Sequence, residues 1–271
     1  MAILCKFCQI LHMMIGKEKT FKEFAIEAFG RENTISFLDL KSVYEEWIGK
    51  TVSDSTFRVT LFRMKKGGSF IPVKRGWYEI EPKDKIMLPA GEFGGNIHSL
   101  LKSEFPFSNW VIWSSSFFNR FTSLQTRKDI IFLEMESGSE ESAFHYLQNQ
   151  DQKYLRNNLF LKPSEEIISN YVINASAPLI IKSLVSESPQ EMNNNIPVPA
   201  VEKILVDLFV EELYLYPWIN ERDRIIHDIF EITNINFSVL LRYASRRNRK
   251  EIIRDYITMH RLAKEELMEE L

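Results

Sequence analysis

Residues 51 to 80 read TVSDSTFRVTLFRMKKGGSFIPVKRGWYEI, and this stretch decides the fold of the N-terminal part of the chain. Its first half carries apolar residues at helical spacing, which predicts a helix with one buried face: Phe57, Leu61 and Met64. Ser53 or Asp54 can cap this helix by accepting hydrogen bonds from the N–H groups of its first turn. We expect the helix to end at Gly67-Gly68, because glycine accepts the positive φ of a helix C-terminus.

A short basic hairpin follows the helix. Residues 70–73 and 77–80 have the composition of two strands, and Lys74-Arg75-Gly76 between them is typical of a tight turn. Pro72 cannot donate a hydrogen bond, so the first of these strands belongs at a sheet edge.

Two more helices are predicted before this stretch. Residues 19–29 carry apolar side chains at helical spacing, and Ser36 can cap a second helix that runs to Trp47. A turn at Gly49-Lys50 separates this helix from the third. Three helices followed by a hairpin are the order of a winged helix-turn-helix, which we place at residues 17–80.

The third helix and the hairpin are locally basic. Between Ser55 and Tyr78 there are six cations and no acidic residue, in a chain whose formal net charge is -3. Such a surface neutralises phosphates and releases counterions from a DNA duplex. The predicted DNA-contacting residues combine these cations with two helix threonines: Thr56, Arg58, Thr60, Arg63, Lys65, Lys66, Lys74 and Arg75. The alternative is a solvated basic face on a winged helix that binds protein or has only a structural role.

Length and composition indicate a second domain. The chain has 271 residues, 45% hydrophobic and 26% charged, which is typical of a globular protein and leaves enough sequence for another core. We assign residues 81–95, rich in Pro, Gly, Lys and Asp, to a linker and residues 96–271 to the second domain. Because no apolar run approaches the roughly 18 residues that a bilayer requires, we predict a cytoplasmic protein with no membrane partner.

The N-terminal segment contains the chain's two cysteines. Cys5, Cys8 and His12 offer three ligands, too few for a closed zinc site, and no second pair occurs. We therefore predict neither a metal site nor a cofactor. The segment lacks the charged start and cleavage site of a signal peptide, and Met13 or Met14 is an alternative start.

Strands and helices alternate in the second domain, which predicts a mixed α/β fold with a helical C-terminal part and α+β class overall. Short β-branched and aromatic runs predict the strands: residues 109–114, 129–135, 158–161, 172–175 and 179–185. Residues 190–199, with three asparagines and two prolines, are predicted to be a loop. Helical periodicity then predicts the remaining helices: residues 97–105, 117–124, 139–147, 164–169, 201–213, 221–231, a helix from 236, and 250–271.

In this order of elements, the chain resembles the AbiEi family of bacterial type IV antitoxins. The resemblance is carried by DSTFRVTLFRMKKGG with VKRGWYEI, by NWVIWSSSFFNRF with DIIFLEMESGSEESAFHYL, and by PVPAVEKILVDLF with LLRYASRRNRKEIIRDYI. It covers nearly the whole chain from about residue 17, and the N-terminal CKFC segment departs from the family pattern.

The resemblance implies a non-enzymatic transcriptional regulator and antitoxin. Members of that family bind double-stranded operator DNA of their own operon through the winged helix. They also counteract a toxin with a nucleotidyltransferase fold, without a stable complex with it. Applied to this chain, the resemblance assigns DNA contact to the eight residues of the third helix and hairpin named above.

A second basic cluster lies near the C-terminus and comprises Arg242, Arg246, Arg247, Arg249, Lys250 and Arg254. Arg242, Arg246 and Lys250 are four residues apart in turn, which predicts that they share one helical face. We consider this a candidate second surface for nucleic acid or for a toxin-related role. The alternative is that it pairs with nearby acids such as Asp255.

Acidic residues in two places suggest enzymes instead. Asp129, Glu134 and Glu136 resemble a metal-dependent nuclease site, although Glu136 stands where such a site places a lysine. Glu202 and Asp207 lie on one predicted helix, but roughly 140° apart, so they do not converge. An active or degenerate nuclease therefore remains the alternative to the regulator.

Overall fold

The computed structural model of the protein describes residues 19–30, 34–66, 69–80, 85–123 and 129–263. The chain divides into two compact units between Pro82 and Lys83. The fold is mixed α and β, with a winged helix-turn-helix first and an α/β unit with C-terminal helices second, as the sequence predicts. Within the part predicted to be a linker, Ile86 and Leu88 are buried.

The first unit contains three helices and a three-stranded antiparallel sheet. Its elements are α1 (Phe21–Phe29), β1 (Thr34–Ser36), α2 (Phe37–Ile48), α3 (Asp54–Lys66), β2 (Ile71–Lys74) and β3 (Trp77–Glu79). The sheet order is β1-β3-β2. Strand β2 is therefore an edge strand, the position in a sheet where proline is tolerated. The sequence patterns predict all these elements except β1, whose three residues are too short to give a periodic signal.

Side-chain caps begin the helices of the first unit. The hydroxyl of Ser36 accepts a hydrogen bond from the backbone N–H of Asp39 at 3.1 Å, and that of Ser53 accepts from Thr56 at 3.2 Å. Ser53, rather than Asp54, therefore caps α3. Phe57 is fully buried, with its ring centroid 5.3 Å from that of Phe37, and this contact fixes α3 against α2.

A four-stranded sheet forms the centre of the second unit. Its strands are β4 (Trp110–Ser114), β5 (Ile131–Glu136), β6 (Leu159–Leu161) and β7 (Leu179–Leu184), in the order β4-β5-β7-β6. Strand β7 runs parallel to β5 and β6, whereas β4 is antiparallel to β5. Helices α4 (Gly94–Glu104) and α5 (Glu140–Gln148) supply apolar side chains to a core on this sheet. A 3-10 helix, Ser115–Arg120, follows β4.

The prediction of a strand at residues 172–175 is wrong. Ser164 begins a helical segment, α6, that comprises Glu165–Ile167 and a π-helical continuation, Ile168–Val172. Of the two β-branched residues that suggested a strand, Val172 is buried in this segment four residues after buried Ile168, whereas Ile173 is exposed.

The prediction of a loop at residues 190–199 is also wrong. Strands β8 (Gln190–Asn193) and β9 (Ile196–Pro199) form an antiparallel hairpin. Asn194 and Asn195 make its two-residue turn with φ of 50° and 65°. Asparagine tolerates this left-handed conformation, which a type I′ turn requires at both positions.

Five helices complete the described chain: α7 (Val201–Asp207), α8 (Glu212–Ile219), α9 (Arg222–Ile232), α10 (Phe237–Arg246) and α11 (Lys250–Met259). The single helix predicted for residues 201–213 is thus two helices, because the chain turns at residues 208–211. No helix among the described residues has the length and apolarity to cross a membrane. The cysteine pair, the alternative starts, Gly67-Gly68, residues 81–84 and the acidic tail lie outside the described residues.

Candidate nucleic-acid interface

Helix α3 presents a mixed basic and apolar face to solvent. Burial of Phe57 and Leu61 orients the helix, and the opposite side is exposed. The exposed side chains of that side are Ser55, Thr56, Arg58, Val59, Phe62, Arg63 and Lys66. Val59 and Phe62 are 54% and 56% exposed, which is unusual for apolar residues at the centre of a helix. We call this set of residues the α3 face.

Aromatic rings hold three of the predicted cations in place. The guanidinium of Arg58 lies 4.5 Å from the ring centroid of Phe37, and the ammonium of Lys66 lies 5.0 Å from that of Phe62. Lys65 is half-buried, with its ammonium 5.7 Å from the ring of Tyr78. A cation over an aromatic ring keeps its charge and loses less side-chain freedom when it later meets an anion.

The hairpin turn supplies one exposed cation rather than two. Arg75 is exposed beside Gly76, whose φ of 81° makes the turn. The backbone N–H of Phe37 donates to the carbonyl oxygen of Gly76 at 2.7 Å, which ties this turn to the start of α2. Lys74 is only 5% exposed, and its ammonium lies 5.4 Å from the ring centroid of Trp77. Lys74, a predicted DNA contact, therefore does not belong to the exposed surface.

The two threonines that were predicted to contact DNA also differ in exposure. Thr60 is half-buried, and its hydroxyl donates to the backbone carbonyl of Thr56 at 3.1 Å. Thr56 is exposed, and its hydroxyl lies 2.9 Å from that of Ser53. The acid nearest to the α3 face, Asp54, is paired with Lys41 at 2.7 Å. The charge of Asp54 is therefore largely compensated at the start of the helix.

The second basic cluster does not lie on one helix. Helix α10 ends at Arg246, Asn248 has a φ of 55°, and Lys250 begins α11. Arg242, Arg246 and Lys250 nevertheless line one groove. Arg247 points away from them and pairs with partly buried Glu211. Arg249 donates to the carbonyl of Asn248 at 3.2 Å, and Arg254 pairs with Glu251.

A chain of ion pairs, buried at four residues and partly buried at Glu211 and Arg247, lies between the sheet and the C-terminal helices. It comprises three carboxylates and three cations in alternation: Arg247, Glu211, Lys182, Glu134, Lys203 and Asp207. Lys203 lies between two carboxylates of the chain, 2.8 Å from Glu134 and 2.5 Å from Asp207. Two neutral donors complete the chain, since Trp113 donates to Glu134 at 3.0 Å and Tyr243 to Asp207 at 3.0 Å. We call these six charged residues the buried ion chain.

Mutual pairing favours the charged forms of Lys203, Glu134 and Glu211, whereas burial raises the pKa of Asp207 despite its contact with Lys203. Burial alone lowers the pKa of Lys203, but the carboxylates of Asp207 and Glu134 outweigh it and hold that pKa well above its usual value. Burial likewise raises the pKa of Glu211, but Lys182 and Arg247 outweigh it and lower that pKa to about 2. Each of the four inner charges has an opposite charge on both sides, whereas Arg247 and Asp207 at the ends have one charged partner each, and Asp207 also accepts a hydrogen bond from Tyr243. Buried charges are tolerated when they are compensated in this way.

The acidic residues that suggested a nuclease contact separate partners. Asp129 accepts hydrogen bonds from the hydroxyls of Ser114 and Ser115. Glu134 is engaged in the buried ion chain, and Glu136 is exposed and accepts from the backbone N–H of Asn109. Glu202 accepts from the backbone N–H of Asn236 at 2.9 Å, whereas Asp207 pairs with Lys203. These contacts confirm that Glu202 and Asp207 do not converge.

Residues 56–263 match a family described as a family of unknown function (DUF6577). This chain belongs to that family. No curated protein matches the chain. The part of the chain that matches DUF6577 begins within α3 and extends through the hairpin and the second unit to α11.

Two lysines within apolar runs of this DUF6577 chain are the sequence signal of the buried ion chain. Lys182 lies within the apolar strand LIIKSL, and Lys203 within the apolar helix start VEKILVD. A lysine inside a buried apolar run requires an acidic partner. The partners themselves are distant in sequence, since Lys203 and Glu134 are 69 residues apart.

Proposed function

We propose that this DUF6577 protein is a DNA-binding transcriptional regulator whose first unit contacts double-stranded DNA. The observation that supports the proposal is the α3 face together with Arg75. Exposed cations occur there with no acidic residue between Ser55 and Tyr78. In winged helix-turn-helix proteins, the corresponding helix enters the major groove of a duplex.

The exposed residues divide into two roles under this proposal. Arg63, Lys66 and Arg75 contact phosphates, which provides affinity that does not depend on sequence. Thr56 and Arg58 reach base edges in the major groove, where a hydroxyl or a guanidinium can read them. Val59 and Phe62 contact the methyl groups of thymine, because these are the apolar groups that a major groove offers. Lys74 and Thr60 make no contact.

A mobility-shift assay with the DNA upstream of the protein's own coding sequence tests this proposal. Arg63→Gln with Lys66→Gln removes two cations of the α3 face, so we expect the shift to require at least tenfold more protein. Lys102→Gln with Lys153→Gln is the matched control, because it removes the same charge from exposed positions of the second unit. A shift weakened equally in both variants would show that only net charge matters and would refute a role for the α3 face.

We propose further that the protein is the non-enzymatic antitoxin of a type IV system and counteracts a nucleotidyltransferase-like toxin. This part rests on the resemblance to AbiEi antitoxins. The test is to express a neighbouring nucleotidyltransferase-like reading frame with and without this chain. We expect growth to be arrested by the toxin alone and restored by the full chain. Restoration should persist in the Arg63→Gln, Lys66→Gln variant, since it does not require DNA binding. Arrest that the full chain leaves unchanged would refute the antitoxin proposal.

The nuclease alternative has less support from the contacts of its proposed residues. Asp129, Glu134 and Glu136 are held by different partners, and Glu134 already pairs with Lys203. A nuclease of this kind predicts DNA cleavage that requires a divalent metal and is abolished by Glu134→Gln. We expect the purified protein to leave its DNA intact in the presence of magnesium or manganese. Cleavage by the wild type that is lost in Glu134→Gln would favour the enzyme.

A further inference from the structure

A groove of about 510 Å³ opens on the surface of the second unit, along α10 and the start of α11. Its polar lining consists of three cations, two serines and one acid: Arg242, Arg246, Lys250, Ser238, Ser245 and Glu187. Sites for small molecules typically enclose about 300 to 1,000 Å³, so the groove is large enough to receive a ligand. We call it the α10 groove.

The sequence of α10 explains why these groups face one groove. Ser238, Arg242 and Ser245 are spaced four and three residues apart and are all exposed, so they form one stripe along the helix. Leu240 and Tyr243 lie on the other side and are 1% exposed, which fixes the orientation of the helix. Burial of that side therefore leaves the stripe in solvent.

The end of α10 separates two neighbouring arginines. Arg247 is drawn inward by Glu211 in the buried ion chain, while Arg246 remains exposed in the groove. The chain then turns at Asn248, with φ of 55°, and Lys250 contributes to the same groove from the next helix. The groove therefore adjoins the buried ion chain, because Arg246 in the groove and Arg247 in the ion chain are consecutive residues.

One carboxylate already occupies part of the α10 groove. Glu187 pairs with Arg246, and the guanidinium of Arg246 also lies 3.5 Å from the hydroxyl of Ser186. The side chain of Glu187 is 59% exposed, on a residue with φ of 57°. An exposed carboxylate on an arginine marks a position where another anion can compete, because a guanidinium pairs with carboxylate and phosphate through the same geometry.

We propose that the α10 groove binds a phosphate group, carried either by a nucleotide or by a nucleic-acid strand. Arg242 and Arg246 place two guanidinium groups in the groove against one acid, Glu187, and two guanidinium groups suit a ligand with two or more negative charges better than a single carboxylate. The hydroxyls of Ser238 and Ser245 can donate to the remaining phosphate oxygens. This inference goes beyond the proposed function, because it concerns the second unit and does not require that the α3 face binds DNA.

Calorimetric titration of the full chain tests the inference, with ATP and a 12-nucleotide single strand as the two probes. The titrations use the Arg63→Gln, Lys66→Gln background, so that a failure of the DNA-binding proposal cannot affect the result. We expect saturable binding of at least one probe, weakened at least tenfold by Arg242→Gln with Arg246→Gln. Arg156→Gln with Lys153→Gln removes the same charge from exposed positions elsewhere and should change the affinity less than twofold.

Glu187→Gln provides a test in the opposite direction. Removal of the competing carboxylate should increase the affinity several-fold, whereas Glu92→Gln, at an exposed position outside the groove lining, should not. Melting temperatures close to that of the parent protein would establish that each variant is folded. The ratio of the two affinities identifies the source of the phosphate. Absence of saturable binding, equal losses in the groove and control variants, or no gain in Glu187→Gln would overturn the inference.

Discussion

At the scale of single residues, Lys203 is held by charged partners on two sides. It is fully buried and contacts both Glu134 and Asp207, so its ammonium compensates two buried carboxylates at once. The cost of transferring these charges from water is offset only while the whole buried ion chain is complete. A buried charge left without its partner is more damaging than the absence of both.

We therefore expect Lys203→Met to destabilise the second unit by about 3 to 5 kcal/mol, the range for breaking a buried ion pair. Chemical denaturation followed by tryptophan fluorescence measures the free energy of unfolding. Lys85→Met is the control, because Lys85 is 68% exposed and pairs with Glu191 at 2.9 Å, and exposed pairs contribute about 1 kcal/mol or less. A similar loss for both variants would contradict the importance assigned to the buried ion chain.

Glu211 makes the stability of the second unit depend on pH. Its pKa is lowered from 4.5 in the unfolded chain to about 2 in the folded state, so the folded state binds fewer protons between these values. The stabilisation is therefore fully present above pH 4.5 and is lost as the pH falls toward 2.

We expect Glu211→Gln to be less stable than the wild type at pH 7 and to lose less of its stability between pH 5 and 3. Thermal unfolding across this pH range measures both effects. Glu212→Gln, a change at the exposed neighbouring residue, should leave the pH dependence as it is in the wild type. An unchanged slope in Glu211→Gln would mean that other carboxylates cause the acid sensitivity.

At the scale of elements, periodic sequence patterns predicted the longer helices and the central strands, whereas turn chemistry was misread. Strand β5 was predicted because DIIFLEM is an apolar β-branched run, and α3 because its apolar residues repeat at helical spacing. The β8–β9 hairpin was missed because its asparagines were interpreted as a loop. Asn194 and Asn195 in fact provide the positive φ values of its turn. A run of asparagines is compatible with a loop and with a hairpin turn, so the flanking strand residues are the better guide to the structure.

Helix α3 shows what a local pattern could and could not predict about the candidate site. The sequence predicted a cap at Ser53 or Asp54, of which the structure selects Ser53, and it also predicted the buried side at Phe57 and the exposure of Arg58 and Arg63. The burial of Lys74 did not, because it depends on how Trp77 packs in the hairpin. Charge alone therefore overestimated the exposed basic surface.

The apolar part of the α3 face leads to a prediction for this helix. If Phe62 contacts thymine methyl groups, the wild type should bind a duplex in which uracil replaces thymine several-fold more weakly than the thymine duplex. The same replacement should make less difference to Phe62→Ala, since the methyl contact is already lost. Fluorescence anisotropy with the two duplexes measures both affinities, and an equal loss in both proteins would argue against methyl recognition.

At the scale of the whole molecule, two units carry two different kinds of positive surface. The α3 face combines cations with exposed apolar residues, which suits the base edges and backbone of a duplex. The α10 groove combines cations with serine hydroxyls in a concave site, which suits a phosphate group. A formal net charge of -3 means that neither surface reflects a generally basic protein. Each can therefore be tested by local substitutions.

The salt dependence of DNA affinity tests the central claim most directly. The equilibrium constant for the upstream duplex is measured by fluorescence anisotropy between 50 and 200 mM salt, for the wild type and for Arg63→Gln with Lys66→Gln. We predict that the logarithmic slope of the variant is smaller by about two, one for each phosphate contact removed. A variant slope equal to that of the wild type would contradict the account.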